Sequence, residues 1–267
     1  MIRVLVVGVC GRMGSAVAEL VAEQPDIELA GGIEAFGHVR VGQPLGTGMI
    51  TAELGRAIGA ADVVVEFSSP VASLEHLRIA ATQHKPYVLG TTGFDAAQQA
   101  ELKDRSRLLP LVWAPNFSVG INVLYRLTDL AARTLKADYD VEIVEIHHRR
   151  KKDAPSGTAR HLAEIVKNAT GRTKVVHGRE GQVGEKPGDE IGVVSIRSGD
   201  IVGEHYVIMG TEGERIELVH KASSRLAFAQ GTLRAIRFVA GKPNGLYCMD
   251  DVLGFRALGP GAQAPTS

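Results

Sequence analysis

The sequence has few cysteines, few aromatic residues, no excess of either charge and no long apolar run, and these shortages exclude several classes of protein. Its 267 residues include only two cysteines, Cys10 and Cys248, which form no Cys-x-x-Cys pair. A disulfide framework and a thiolate metal site are therefore excluded. We expect a cytoplasmic protein without a metal centre.

The 30 basic and 30 acidic residues leave a net charge of zero at pH 7. No global field therefore favours nucleic acid or an anionic membrane surface. The apolar N-terminal run breaks at Gly8, too early for the core of a signal peptide, and no stretch approaches membrane-spanning length. We expect neither nucleic acid nor a membrane among the partners.

One segment departs from this even background. The fourteen residues EIHHRRKKDAPSGT, which start at position 145, contain His147, His148 and four cations. Asp153 and Ser156 are favoured N-cap types, Pro155 suits a first helical turn, and the following ARHLAEIV has helical spacing, so a helix should begin near Ser156. The N–H groups of its first turn would face a carboxylate or phosphate. We interpret the segment as a site for a small anion; the alternative is a solvated basic loop.

The first half of the chain has the pattern of a nucleotide-binding unit. A buried strand, IRVLVV, leads into GVCGRMG, which places Gly8, Gly11 and Gly14 before a helix predicted over 15–22. Small residues let the backbone approach a pyrophosphate at the helix N-terminus, although a tight turn without a ligand is the alternative. A second strand, IELAGGI, is followed by Glu34, an acid suited to a ribose diol.

Further buried strands alternate with helices, which predicts a doubly wound parallel sheet. The strands are predicted over 63–67, 87–89 and 109–114, and the helices over 71–83 and 95–105. Small or polar turns follow these strands, at the sheet edge where open α/β sheets bind ligands. Each turn alone is more often a plain connection, but their agreement indicates a cofactor site; the turns are Ser68–Pro70, Gly90–Gly93 and Pro115–Ser118.

The second half has a different pattern. The turns SGD and EG should join its last three strands into hairpins and so give an antiparallel or mixed sheet. A long mobile loop is predicted over 171–188, and a disordered tail after Leu258. The predicted helices cover 122–135 and 228–239, and the predicted strands cover 141–146, 191–197, 203–209 and 215–220.

Six pieces, in order from Gly8 to Arg225, closely resemble the 4-hydroxy-tetrahydrodipicolinate (dihydrodipicolinate) reductases: GVCGRMG, GTTGF, APNFSVG, EIHHRRKKDAPSGTA, SIRSGDIVGEH and HKASSR. The resemblance implies reduction of 4-hydroxy-tetrahydrodipicolinate to tetrahydrodipicolinate in diaminopimelate and lysine biosynthesis. It implies an α/β homotetramer, with a Rossmann-type domain over 1–118 and 229–267 that binds NADH or NADPH. A smaller α+β domain over 119–228 would bind the dicarboxylate substrate and form the tetramer.

The resemblance also implies roles for individual residues. His147 and Lys151 would be catalytic. The substrate contacts would be His148, Ser156, Gly157 and Thr158. The dinucleotide contacts would be Gly8, Val9, Cys10, Gly11, Arg12, Met13, Glu34, Gly90, Thr91, Thr92, Ala114, Pro115, Asn116 and Phe117.

Ala35 follows Glu34 where many relatives carry an arginine for the 2′-phosphate, so we expect NADH to be preferred, with NADPH still usable through Arg12.

If the strand predicted over 141–146 continued through His148, the imidazole rings of His147 and His148 would point to opposite faces. His147 is the expected proton donor, with His148 as the alternative, and the neighbouring cations would oppose protonation of His147 until a dicarboxylate binds.

Two other functions fit parts of the sequence. A dehydrogenase acting on a sugar or an aldehyde would share the first half, but would have no use for the His-His-x-x-Lys loop. A dinucleotide-responsive regulatory protein could use the basic loop on nucleic acid or an acidic partner. Zero net charge and the lack of a recognition-helix module argue against that function.

Overall fold

The computed structural model describes residues 1–255, and the chain divides into two compact units. The first unit combines Met1–Ser118 with the segment from Leu226 onward, and the second unit is Val119–Arg225. The tail predicted after Leu258 lies outside the described residues. None of the helices within residues 1–255 is both long and apolar enough to span a membrane.

Most predicted elements are present with small shifts at their ends. The strands are β1 (Ile2–Val7), β2 (Ile27–Ile33), β3 (Pro44–Leu45), β4 (Gly48–Thr51), β5 (Val63–Glu66), β6 (Tyr87–Leu89), β7 (Pro110–Trp113), β8 (Asp140–His147), β9 (Lys174–Val176), β10 (Glu190–Arg197), β11 (Gly203–Thr211), β12 (Glu214–Ala222) and β13 (Gly245–Tyr247). The helices are α1 (Arg12–Ala22), α2 (Leu54–Ala57), α3 (Pro70–Thr82), α4 (Ala96–Arg105), α5 (Val119–Leu135), α6 (Gly157–Thr170), α7 (Leu226–Val239) and α8 (Met249–Val252).

The first unit contains the predicted doubly wound sheet, with the order β13-β7-β6-β5-β1-β2-β4-β3. The central strand β1 pairs in parallel with β2 on one side and β5 on the other. Val4 and Val6 pack with α1 and α7, while Leu5 and Val7 pack with α3. Because helices cover both faces, the strand has no polar alternation. The strand order reverses at β1, which is where such sheets bind ligands.

The second unit contains a mixed sheet with the order β12-β11-β8-β10-β9, and α5 and α6 share its core. Only part of the hairpin prediction is right: β11 and β12 pair antiparallel, but β10 pairs in parallel with β8. The turn at Ser198–Asp200 therefore joins strands on opposite sides of β8. Every second residue of β8 is buried, so core packing puts β8 at the centre, and a local turn does not determine which strands become neighbours.

The segment predicted as a long mobile loop contains β9 and is anchored at several points. The guanidinium of Arg172 is buried and donates to the carbonyl oxygens of Gly188 and Tyr139 at 2.9 and 2.6 Å. Lys186 donates to the carboxylate of Glu142 at 2.6 Å. The prediction that this whole segment is one mobile loop is therefore wrong. Part of the segment forms β9, and long cationic side chains hold other parts of it to the sheet.

Candidate active site

The glycine turn of the first unit is packed too tightly for side chains. Gly8 has φ +70°, and a Cβ added there would lie 2.6 Å from the carbonyl oxygen of Phe67. A Cβ on Gly14 would lie 2.1 Å from the carbonyl oxygen of Gly8. Gly11 is the N-cap residue of α1 and offers no side-chain cap, whereas Ser69 and Asp95 cap α3 and α4. The uncapped N–H groups at the start of α1 suit an anion such as a pyrophosphate.

The carboxylate of Glu34 lies against this turn. Its Oε2 accepts the Cys10 N–H at 3.0 Å, and its Oε1 accepts the Ala35 N–H at 2.9 Å. Burial and the charge of Glu34 raise the pKa of the Cys10 thiol, while the nearby guanidinium of Arg40 acts in the opposite direction. Arg40 is an addition to the predicted residues, since no pattern in the irregular loop after β2 indicates it. A carboxylate fixed by two backbone donors suits a ribose diol.

Side chains connect the turns that follow β5, β6 and β7. A Cβ on Gly90 would lie 2.0 Å from the Phe67 ring, and that ring meets Phe117 edge to face at 6.0 Å between centroids. Thr91 is buried, and its Oγ1 accepts a hydrogen bond from Ser73 Oγ at 2.7 Å. These contacts bring the three turns together at one edge of the sheet.

The remaining predicted cofactor residues have different surroundings. Val9 is buried and Met13 packs against the same core, so neither side chain faces outward. Ala114 is buried, whereas Arg12, Thr92 and Pro115 are exposed. Asn116 Oδ1 accepts the Ser118 N–H at 2.9 Å, which fixes the turn after β7.

Strand β8 of the second unit ends at His147, so the two histidines do not share one extended strand. His147 is buried and lies on the same face of β8 as Glu145. Beyond the strand end, burial and the cations Arg150 and Arg225 lower the pKa of His148. The paired imidazoles therefore have different electrostatic surroundings.

A fully buried carboxylate, Glu145, lies beside His147. Its Oε2 is 2.5 Å from His147 Nδ1, and the guanidinium of Arg197 donates to both carboxylate oxygens at 2.8 Å. Its Oε1 also accepts the Ser156 N–H at 3.1 Å. Burial alone would raise the pKa of Glu145, but the hydrogen bonds from His147 and Arg197 hold that pKa well below its usual range. The sequence prediction considered only the cations around His147 and missed this opposite charge.

A third histidine, His205 on β11, lies behind His147. The two rings meet edge to face with centroids 5.3 Å apart, and His205 Nε2 is 3.2 Å from Ser156 Oγ. Burial, with a further contribution from His147, lowers the pKa of His205 to about 3. His205 is therefore neutral at physiological pH and adds no charge beside His147.

The predicted helix start at Ser156 is confirmed. Ser156 is the N-cap of α6, and its Oγ accepts the Ala159 N–H at 3.2 Å. Pro155 precedes the cap instead of lying in the first turn, and Asp153 pairs with Lys151 at 2.9 Å instead of capping the helix. The ammonium of Lys151 is therefore available to a substrate carboxylate only by sharing or replacing Asp153.

Comparison with known proteins supports one family over the whole chain. Residues 2–117 match the family model described as dihydrodipicolinate reductase, N-terminus, and residues 120–253 match the corresponding C-terminus. A 4-hydroxy-tetrahydrodipicolinate reductase of Syntrophobacter fumaroxidans is 46% identical and covers 96% of this chain and 100% of its own length.

Solved structures agree with this match. A dipicolinate-bound dihydrodipicolinate reductase from Paenisporosarcina sp. TG-14 aligns with a TM-score of 0.77 at 26% identity, covering 93% of this chain and 97% of that chain. A myo-inositol dehydrogenase from Corynebacterium glutamicum aligns with a TM-score of 0.59 at 12% identity, covering 92% and 90%. The second likeness shows the fold alone.

Proposed function

The chain belongs to the dihydrodipicolinate reductase family, and from this premise we propose how its own residues carry out the reaction. The activity is the NAD(P)H-dependent reduction of 4-hydroxy-tetrahydrodipicolinate, a step in lysine and diaminopimelate biosynthesis. The observation that carries the proposed roles is the grouping of His147, Lys151 and the start of α6 within one unit. This grouping suits a substrate ring that carries negative charge and has to receive a proton.

The substrate carries two carboxylates, so its recognition requires positive groups and N–H donors. We assign one carboxylate to Lys151 and to the backbone N–H groups of Gly157 and Thr158. The Ser156 cap takes the N–H of Ala159, so it does not compete for those two donors. The bound carboxylate would also lie at the N-terminus of α6, where the helix dipole favours a negative charge. His148 contacts the substrate from the strand end.

His147 is the proposed proton donor. Loss of water from 4-hydroxy-tetrahydrodipicolinate gives the cyclic, conjugated imine dihydrodipicolinate, and reduction of that imine requires one hydride and one proton. A bound reduced nicotinamide would supply the hydride. The remaining proton has to come from a group that can be charged near neutral pH and can reach the ring. His147 is the candidate on geometry, because the carboxylate of Glu145 lies 2.5 Å from its Nδ1 and offers a counter-charge to an imidazolium. Lys151 orients the substrate ring by binding one of the substrate carboxylates, and it is not the acid in this mechanism.

NADH is the proposed preferred cofactor, with NADPH accepted more weakly. The uncapped start of α1 suits the pyrophosphate, and Glu34 suits the hydroxyls of the adenosine ribose. A 2′-phosphate would meet the negative charge of Glu34, with no arginine at position 35 to offset it. Arg12, which is exposed, and Arg40, beside Cys10, are the cations that could reach such a phosphate.

We also propose a cytoplasmic homotetramer formed through the second unit. One face of its sheet carries the row Val144, Tyr206 and Val219, and a neighbouring row begins with Ile196 and Ile146. Val219 and Ile196 are 45% and 41% exposed, although α5 and α6 cover the opposite face. An apolar sheet face of this kind suits contact with a second copy. Analytical ultracentrifugation tests this, because a monomer at micromolar concentration would contradict it.

The test of the function is an assay of the purified chain with NADH and the product that dihydrodipicolinate synthase makes from pyruvate and aspartate semialdehyde. We expect the absorbance of the reduced nicotinamide to fall only when that product is present, and the matched control omits the synthase. Oxidation of NADH with a sugar or an aldehyde, but not with this product, would overturn the proposal. Dinucleotide binding without any turnover would instead support a regulatory protein.

A further inference from the structure

The second unit contains a carboxylate with no direct route to solvent. The side chain of Glu145 is 0% exposed, yet it stays ionised, because its pKa is held well below the usual range. A buried charge is costly unless donors surround it. Arg197 donates through both terminal nitrogens, His147 through Nδ1 and Ser156 through its backbone N–H, and Ser195 adds a side-chain hydrogen bond. Three separate segments therefore converge on one side chain.

The charge state of Glu145 determines which nitrogen of His147 carries a proton. An ionised carboxylate only accepts hydrogen bonds, so the contact at 2.5 Å requires a proton on Nδ1. Nε2 is then the nitrogen that can gain and release the catalytic proton. Nε2 packs against the backbone of Gly203, where a Cβ would lie only 2.9 Å from it, so the imidazole keeps this position only because residue 203 has no side chain.

Arg197 limits how strongly Glu145 holds the charged imidazole. Its guanidinium forms a bidentate pair with both carboxylate oxygens at 2.8 Å, so one negative charge is shared between two cationic groups. The other titratable groups that interact with His147 are His205 on β11, which is neutral, and His148 at the strand end; Lys151 acts on both of these histidines. A carboxylate without Arg197 would bind a charged imidazole more tightly and slow its release of a proton.

We propose that Glu145 and Arg197 are positioning residues that keep the Nδ1 proton on His147 and direct Nε2 towards the substrate. This inference rests on the proposed role of His147 as the acid. Glu145 itself contacts neither the substrate nor the cofactor in this mechanism. Its effect on the rate passes through the tautomer, orientation and charge of the imidazole.

The first test compares Glu145→Gln with Glu190→Gln across pH. Glu190 is the matched control, because it is a buried, ion-paired glutamate of the same unit that pairs with Arg179. Glu145→Gln should lower kcat at least about 10-fold, part of the 10²–10⁴-fold that general acid catalysis contributes. The alkaline decline of kcat should also move to lower pH, while the KM for NADH stays within about twofold. A folded Glu145→Gln with wild-type kcat and pH profile would overturn the proposal.

The second test does not depend on turnover or on a stable variant. Nitrogen NMR of the wild-type chain labelled in histidine reports which ring nitrogen carries the proton in each imidazole. We expect neutral His147, assigned by loss of its signals in His147→Gln, to carry its proton on Nδ1. A proton on Nε2 would overturn the proposal even if the enzyme is active. An inactive wild type with a proton on Nδ1 would count against the proposed function and leave the positioning role supported.

Discussion

The two edges that we propose as binding sites, one in each unit, differ in the groups that form them. In the first unit, the edge consists of glycines, an uncapped helix start and short turns, with Glu34 as its fixed charge. In the second unit, the edge is built from side chains on separate strands: Glu145 and His147 on β8, Arg197 on β10 and a neutral histidine on β11.

This difference matches the role that we propose for each edge. A pyrophosphate and a ribose need anion recognition and hydrogen-bond acceptors, which backbone N–H groups and one carboxylate supply. Protonating a ring carbon needs an acid whose charge and tautomer are controlled, which only side chains supply. Substitutions in the second unit should therefore change the rate, whereas those in the first should change cofactor affinity or preference.

The largest effect should come from His147→Gln. Loss of the acid should lower kcat by about 10²–10⁴-fold, with a much smaller change in the affinity for NADH. Steady-state kinetics across pH, together with NADH titration by fluorescence, measure both quantities. His177→Gln, an exposed histidine in the same unit, is the control. Wild-type kcat with an unchanged alkaline decline would show that His147 is not the acid and would make His148 the candidate.

Lys151→Ala should have the next largest effect. Loss of a charge-assisted contact to a desolvated carboxylate should lower kcat/KM for the substrate, by an amount that corresponds to roughly 3 kcal/mol of transition-state stabilisation. Both KM and kcat should be affected. Lys152→Ala, the adjacent exposed lysine, is the matched control. An effect on KM for NADH alone would place Lys151 on the cofactor side and contradict the division between the units.

The two edges also differ in how far the sequence predicts them. The turn from Gly8 to Gly14 is local in sequence, because strand, glycines and helix follow one another directly, although Gly8 also packs against the carbonyl oxygen of Phe67. The pairing of Glu145 with Arg197 joins residues 52 positions apart. It depends on the parallel pairing of β8 with β10, whereas the turn pattern predicted that β10 would form a hairpin with β11. The start of α6 was predictable because capping is local, whereas the charges behind it are not.

Acid should weaken the second unit through His205. Its pKa is about 3 in the folded state and 6.5 without burial, so the unfolded chain binds more protons between these values. The stability that comes from the neutral imidazole of His205 is therefore fully present above pH 6.5 and is lost as the pH falls towards 3. At pH 5, His205 should have lowered the free energy of unfolding by about 2 kcal/mol relative to its value at neutral pH.

Urea unfolding at pH 7 and pH 5 measures this loss, and His205→Gln, which cannot titrate, should reduce it. Hydrogen exchange should locate the early opening in β11 and β8 before β1 and β5 open. The exposed His177 is again the control, since His177→Gln should leave the difference unchanged. Equal pH sensitivity in wild type and His205→Gln would show that another group causes the acid loss.

The smallest expected effect tests the first unit. Ala35→Arg should place a cation beside the position of a 2′-phosphate and raise the ratio of kcat/KM for NADPH to that for NADH about fivefold, as a partly exposed charge pair contributes about 1 kcal/mol. Ala35→Gln adds similar bulk without charge and should leave the ratio within about twofold. Because the substitution lies outside the second unit, kcat with saturating NADH should not change. A wild-type preference for NADPH, or an unchanged ratio in Ala35→Arg, would mean that Glu34 does not set the preference, and Arg40 would become the residue to substitute next.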